Sequence, residues 1–285
     1  MKILREIKTI YDLILSMRLL RMLMLMGFIG VVFVVFLDNY FIQLNNAVGY
    51  EIKHSLNDVL ICIFSGTPPD LLTGIMLTAI IILPILMFLF QTGMFLDTAI
   101  NRGKYSIIRM NSLKLWWNVH LFALYMQVFI VILFGIGIIF GLGSLIGLNN
   151  NETLGFFKNY TSTSLLFDEN SSYLLNKLIN YTSIDVIHSL ILFFLRIITV
   201  ITLQTTLYMS FRNKAVSILL PVMLVSAASL FPKFAVYIPI GLTMYSAVLY
   251  SQWNVMIAYG VTIILIVCLY MITAKKVYKL EWMES

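Results

Sequence analysis

Long apolar runs alternate with shorter polar ones along this chain, and most of the runs exceed the length of any ordinary strand or core helix. About 20 residues of α-helix, at about 1.5 Å each, cross roughly 30 Å of hydrocarbon. Runs of that order extend from about Leu19 to Leu37, Leu71 to Gln91, His120 to Leu148, Ile187 to Met209, Ala215 to Phe231 and Val255 to Thr273. The pattern predicts an all-α polytopic membrane protein, a single transmembrane domain over residues 1–285 with six transmembrane helices. Residues 1–18 follow another rhythm. Ile3, Leu4, Ile7, Ile10, Tyr11, Ile14 and Leu15 recur at helical spacing, with Lys2, Arg5, Glu6, Lys8, Asp12 and Ser16 between them. That is the signature of an amphipathic helix lying on the membrane surface.

Breaker residues refine the pattern. Span one ends at Asp38-Asn39, and the outer segment 38–70 contains a short amphipathic run, Leu56 to Phe64, stopped by Gly66 and Pro68-Pro69. Asp70 is placed to cap the next helix. Pro84 and Pro221 kink spans two and five, because proline removes a backbone donor. Gly135, Gly137, Gly141, Gly143 and Gly147 punctuate span three. With no strand ahead of them they are not a nucleotide loop; small residues let membrane helices approach closely. The outer segment 149–185 is rich in Asn, Ser and Thr, and holds four Asn-x-Ser/Thr sequons that such a composition also produces by chance. Residues 234–250 are apolar but broken by Pro239 and Gly241.

Composition agrees: 60% of residues are apolar and 11% charged, against about 25% charged in soluble domains. Charge then orients the chain. Of the 19 Lys and Arg, fourteen fall before or at the start of span one, in 96–118, in 211–214 or in the tail. Four (Lys53, Lys158, Lys177, Lys233) fall in the opposite loops. By the positive-inside rule both termini are cytoplasmic. Residues 234–250 must then be a re-entrant or outer helical element, since a seventh crossing would export the tail lysines. The net charge of +6 follows from this bias and does not imply nucleic acid.

Little chemistry is encoded. Cys62 and Cys268 fall near opposite ends of the topology, against a disulfide, and no metal spacing exists. His54, His120 and His188 form no metal-binding pair, and Asp185 with His188 is a local polar pair at the start of span four. No Walker motif or nucleophile elbow occurs, so no catalytic, cofactor or metal residue is assigned. Arg196, in the middle of span four, is the exception. A mid-membrane charge is costly and marks function by default, here a transport path or a seam between subunits. The alternative is a guanidinium that pairs with a carbonyl or snorkels.

The segment 96–118 carries Asp97, Arg102, Lys104, Arg109, Ser112, Lys114 and the pair Trp116-Trp117. The order of parts, together with Tyr105-Ser-Ile-Ile-Arg109, Ser112 and Trp116-Trp117, resembles permease subunits of type-2 ABC transporters, in particular small bacterial permeases of bacteriocin and peptide-antibiotic systems. The resemblance implies a non-enzymatic transport subunit in the bacterial plasma membrane, paired with a second permease as a homo- or heterodimer. ATP and Mg would be bound by a separate cytoplasmic ABC ATPase. That partner would dock on Asp97, Arg102, Lys104, Arg109, Ser112 and Lys114 and on the N-terminal surface helix, while Trp116 and Trp117 anchor the segment at the membrane interface. The competing class is a membrane-embedded sensor or immunity protein that binds a ligand through its outer loops. A secondary transporter is disfavoured by the scarcity of membrane acids.

Overall fold

The computed structural model describes residues 14–48, 56–64, 75–101, 113–145, 182–230, 237, 240–243, 248 and 253–278. These form seven α-helices and one 3-10 turn, with no strand among the described residues. The helices are α1 (Met17–Val48), α2 (Leu56–Phe64), α3 (Ile75–Asn101), α4 (Leu113–Leu145), α5 (Ser183–Phe211), α6 (Lys214–Leu230) and α7 (Val255–Tyr278). The 3-10 turn is Gly241–Thr243. Three helical stretches, Leu115–Leu145, Ile184–Phe211 and Val255–Val277, are long and apolar enough to cross a membrane, and the chain is accordingly a membrane protein. Ile82–Asp97 and Lys214–Ala228 are shorter apolar stretches.

Helix boundaries run past the apolar runs. α1 continues through Asp38 and Asn39 to Val48. α3 enters the predicted internal segment as far as Asn101, and α4 starts inside it at Leu113. Polar residues end an apolar run without ending a helix, whose backbone bonds are satisfied in water and hydrocarbon alike. Residues 1–13, which carry most of the predicted surface helix, lie outside the described residues, as do 102–112 and 149–181.

Side-chain contacts fix the helix directions. Gln127 of α4 donates to the Ile14 carbonyl and Ser16 Oγ, and Ile138 sits beside Gly27 and Gly30, so α1 and α4 run parallel. α5 runs parallel to α3, through Gln204 to Leu89 and Tyr208 to Asp97. It runs parallel to α7 as well, through His188 to Tyr259 and Thr206 to Thr273. α4 opposes α5, with Tyr125 at Thr202 and Phe129 at Phe194. α6 opposes α3, with Lys214 at Asp97 and Ile218 beside Gly93. The six long helices therefore alternate in direction. The starts of α1, α4 and α6 and the ends of α3, α5 and α7 lie toward one end of the bundle.

α5 is the axis. Ser189, Arg196, Thr199, Thr202 and Thr206 are buried along it, at spacings of one helix face. The hydroxyls of Ser189, Thr199 and Thr202 donate back to the carbonyls of Val186, Leu195 and Ile198, which removes the cost of burying them. Lipid-type residues cover the outside: α7 exposes Met256, Ile257, Ile263, Ile264, Val267 and Met271. α2 shows the opposite distribution. Val59, Leu60, Ile61 and Phe64 are all buried, so this short helix is sealed into the bundle, with the Phe64 ring edge-on to Phe193 at 4.9 Å.

Candidate functional site

Two regions of the bundle hold polar groups in defined geometry. The first is the end where the cations collect. Asp97, near the end of α3, accepts a hydrogen bond from Tyr208 of α5 at 2.7 Å and one from Lys214 of α6 at 2.7 Å. The Lys214 ammonium and Asp97 form a salt bridge with side chains about half and one-third exposed. Burial works against the Asp97 charge, yet the bonds from Lys214 and Tyr208 hold its carboxyl below the ordinary aspartate value. The turn from α5 to α6 is two residues long. Arg212 adopts φ 51°, a left-handed geometry, and its N–H returns to the Tyr208 carbonyl at 2.8 Å. Asn213 Oδ1 then accepts from the backbone of Ala215 and Val216, capping α6.

Beside this clamp lies an aromatic block. Trp116 and Trp117 are both fully buried, packed by protein on all sides. The Trp116 and His120 rings lie 4.8 Å apart, Phe95 is 5.7 Å from His120, and the Arg18 guanidinium sits 4.7 Å over the Phe95 ring. His120 Nδ1–H donates to the Trp116 carbonyl at 2.8 Å. One residue past the tryptophans, Asn118 Oδ1 accepts from Tyr270 of α7 at 2.8 Å. Lys275 and Lys276 follow in the last turn of α7.

Of the residues assigned to partner docking, Asp97 is thus engaged inside the chain. Lys114 lies in the first turn of α4, and Arg102, Lys104, Arg109 and Ser112 lie outside the described residues. Asp97 and Lys214 are 117 positions apart, and no local pattern announces such a pair.

The second region surrounds Arg196, which is completely buried near the middle of α5. Its Nη2 donates to the Thr243 carbonyl at 3.1 Å and its Nε to Thr243 Oγ1 at 3.4 Å. Phe193 lies 5.7 Å from the guanidinium carbon. Nη1 has no hydrogen-bond partner among the described residues. The broken apolar element that the sequence places after α6 thus meets the mid-span arginine through the turn Gly241–Thr243. Asp185 accepts from the Thr182 backbone and hydroxyl at the start of α5, and His188 bonds to Tyr259.

Fold and sites together define a helical membrane protein with a basic, clamped end and a buried mid-bundle cation. Comparison with known proteins adds no relative: no family model, curated protein or solved structure matches the chain.

Proposed function

We propose that this chain is the membrane-spanning permease subunit of an ATP-driven ABC transporter, exporting a peptide or amphipathic substrate across a bacterial plasma membrane. In this reading six helices span the bilayer, both termini are cytoplasmic, and the element around Gly241–Thr243 is re-entrant. A separate cytoplasmic ATPase, loaded with ATP and Mg, supplies the energy, and a second permease completes the transporter.

The observation that carries the reading is the Asp97–Lys214–Tyr208 clamp. It ties the end of α3 to α5 and α6 just before the chain enters the basic stretch 102–112. A force applied to that stretch reaches α5 through Asp97 and Tyr208. Tyr208 is twelve positions from Arg196 on the same helix, about 18 Å at the helical rise. An ATPase gripping Arg102, Lys104 and Arg109 would therefore pull on a rigid rod that passes the buried cation. Trp116 and Trp117, locked in the bundle, hold the far end of the gripped segment. The cations attract an acidic partner surface, and that attraction weakens with salt.

The test is co-purification with an ABC ATPase encoded beside this chain. The two are expected to associate, and Arg102→Glu with Arg109→Glu to remove most of the association while the chain still folds. If no ATPase binds, and deletion of 149–181 abolishes the response to a bound ligand, the chain is a sensor or immunity protein.

A further inference from the structure

Arg196 is a buried cation that meets no carboxylate among the described residues. A guanidinium carries five N–H donors and keeps its charge. Thr243 occupies one edge of it, taking Nε on the hydroxyl and Nη2 on the carbonyl. The other edge, formed by Nη1 and the second Nη2 hydrogen, is different. Nη1 has no acceptor among the described residues, and the Asp97–Lys214 salt bridge lies at the end of the bundle, away from it. Arg196 is 0% exposed, so no bulk solvent lies against it.

A charge buried for structural reasons alone is normally satisfied on every edge, and an apolar residue of the same volume would stabilise the bundle at least as well. The Phe193 ring offers a cation–π contact at 5.7 Å, which replaces part of an anion's effect but accepts no bond from Nη1. The open edge is the geometry that takes a carboxylate or phosphate through two parallel bonds. The Phe193 ring beside the guanidinium carbon has Phe64 edge-on against it, and the Ile240–Thr243 turn holds the opposite edge. That turn is short. Thr243 is held to the Ile240 carbonyl by its N–H and its hydroxyl, so its hydroxyl proton is committed and its lone pair faces Arg196. Arg196 stands thirteen positions from Ser183 and fifteen from Phe211, roughly 20 Å from each helix end.

We propose that the open edge of Arg196 is an intramembrane receptor for an oxyanion, a carboxylate or phosphate on an apolar body. The inference rests on the transport reading only in making the bound molecule a cargo. Binding to this chain is measured without an ATPase, so the two readings fail separately.

The experiment uses the full chain in phosphatidylcholine nanodiscs and follows thermal unfolding against added dodecanoate, dodecyl phosphate or dodecanol. The two anions are expected to raise the transition temperature in a saturable way, and the neutral alcohol to leave it unchanged. Arg196→Met is expected to fold with equal or higher basal stability, since it removes an unpaired charge, and to lose the anion response. Arg196→Lys, which keeps charge but not the fork, is expected to bind about ten- to hundredfold more weakly. Nanodiscs containing phosphatidylglycerol separate the sources: if a lipid headgroup fills the site, that lipid stabilises the wild type but not Arg196→Met, and blocks dodecanoate. Equal anion shifts in wild type and Arg196→Met, or no shift in either, would overturn the proposal. If Arg196→Met fails to fold, Thr243→Val supplies the readout: it frees the second edge and is expected to change anion half-saturation, and an unchanged value counts against the site.

Discussion

Asp97 joins three helices through two short bonds to its carboxylate, one from the charged Lys214 ammonium and one from the neutral Tyr208 phenol. The charged bond is partly exposed, so its net worth is small, about 0–1 kcal/mol, and the Tyr208 bond adds about 1 kcal/mol. Because the folded carboxyl lies below its ordinary value, its contribution is complete above the unfolded aspartate value of about 4. It disappears as pH falls through the lowered folded value. Asp97→Asn is therefore expected to lower stability by about 1 kcal/mol near neutrality and to flatten the acid side of the stability profile. Thermal unfolding across pH checks both, and an unaltered acid limb would show that Asp97 is idle. Arg196 is the complementary case. Its place in mid-helix was legible as a charge in an apolar run, while its acceptor, Thr243, lies 47 positions on and carries no mark in the sequence. Trp116 and Trp117 look like interfacial residues beside cations; burial by α4's neighbours is decided by packing that no local window contains.

The glycines of α4 divide once the helices are in place. A Cβ on Gly135 would lie 2.5 Å from Met26 Cε and 3.0 Å from its Cγ, whereas Gly137 and Gly141 face open space. Gly135 therefore permits the approach of α1, and the other two do not serve packing within this chain. Gly135→Ala is expected to be mild, because the end of a methionine side chain can shift. Gly135→Val is expected to cost about 1–3 kcal/mol, and Gly137→Ala and Gly141→Ala to leave unfolding unchanged or slightly higher, since alanine favours helix. Comparable losses at all three positions in detergent melts would contradict this division. The spacing of the glycines predicted close helix approach, and only the register of α1 against α4 identifies which one makes it. Likewise, α2 was recognisable as a short helix, but the burial of Val59, Leu60, Ile61 and Phe64 together was not.

Six long helices in alternating directions bring Arg18, Arg212, Lys214, Lys275 and Lys276 toward one end of the molecule. His188, Tyr259 and the Asp185 cap lie toward the other. By the positive-inside rule, the end that carries these cations is expected to face the cytoplasm. With Cys62 and Cys268 replaced by serine, cysteines placed at Asn213 and Lys276 are expected to react with an impermeant maleimide from one side of the membrane. A cysteine at Asn254 is expected to react from the other. Labelling of Asn213 and Lys276 from opposite sides would break the alternating arrangement.

The distance in sequence between Arg196 and Thr243 has a consequence in time. A ribosome adding about 5–20 residues per second completes Arg196 several seconds before Thr243. During that interval the guanidinium has no acceptor from the turn, and the hydrocarbon of the bilayer offers none. Since only Arg212 and Asn213 separate α5 from α6, the two helices can leave the insertion machinery together as a hairpin. The arginine then stays beside water or protein until its acceptor has been made.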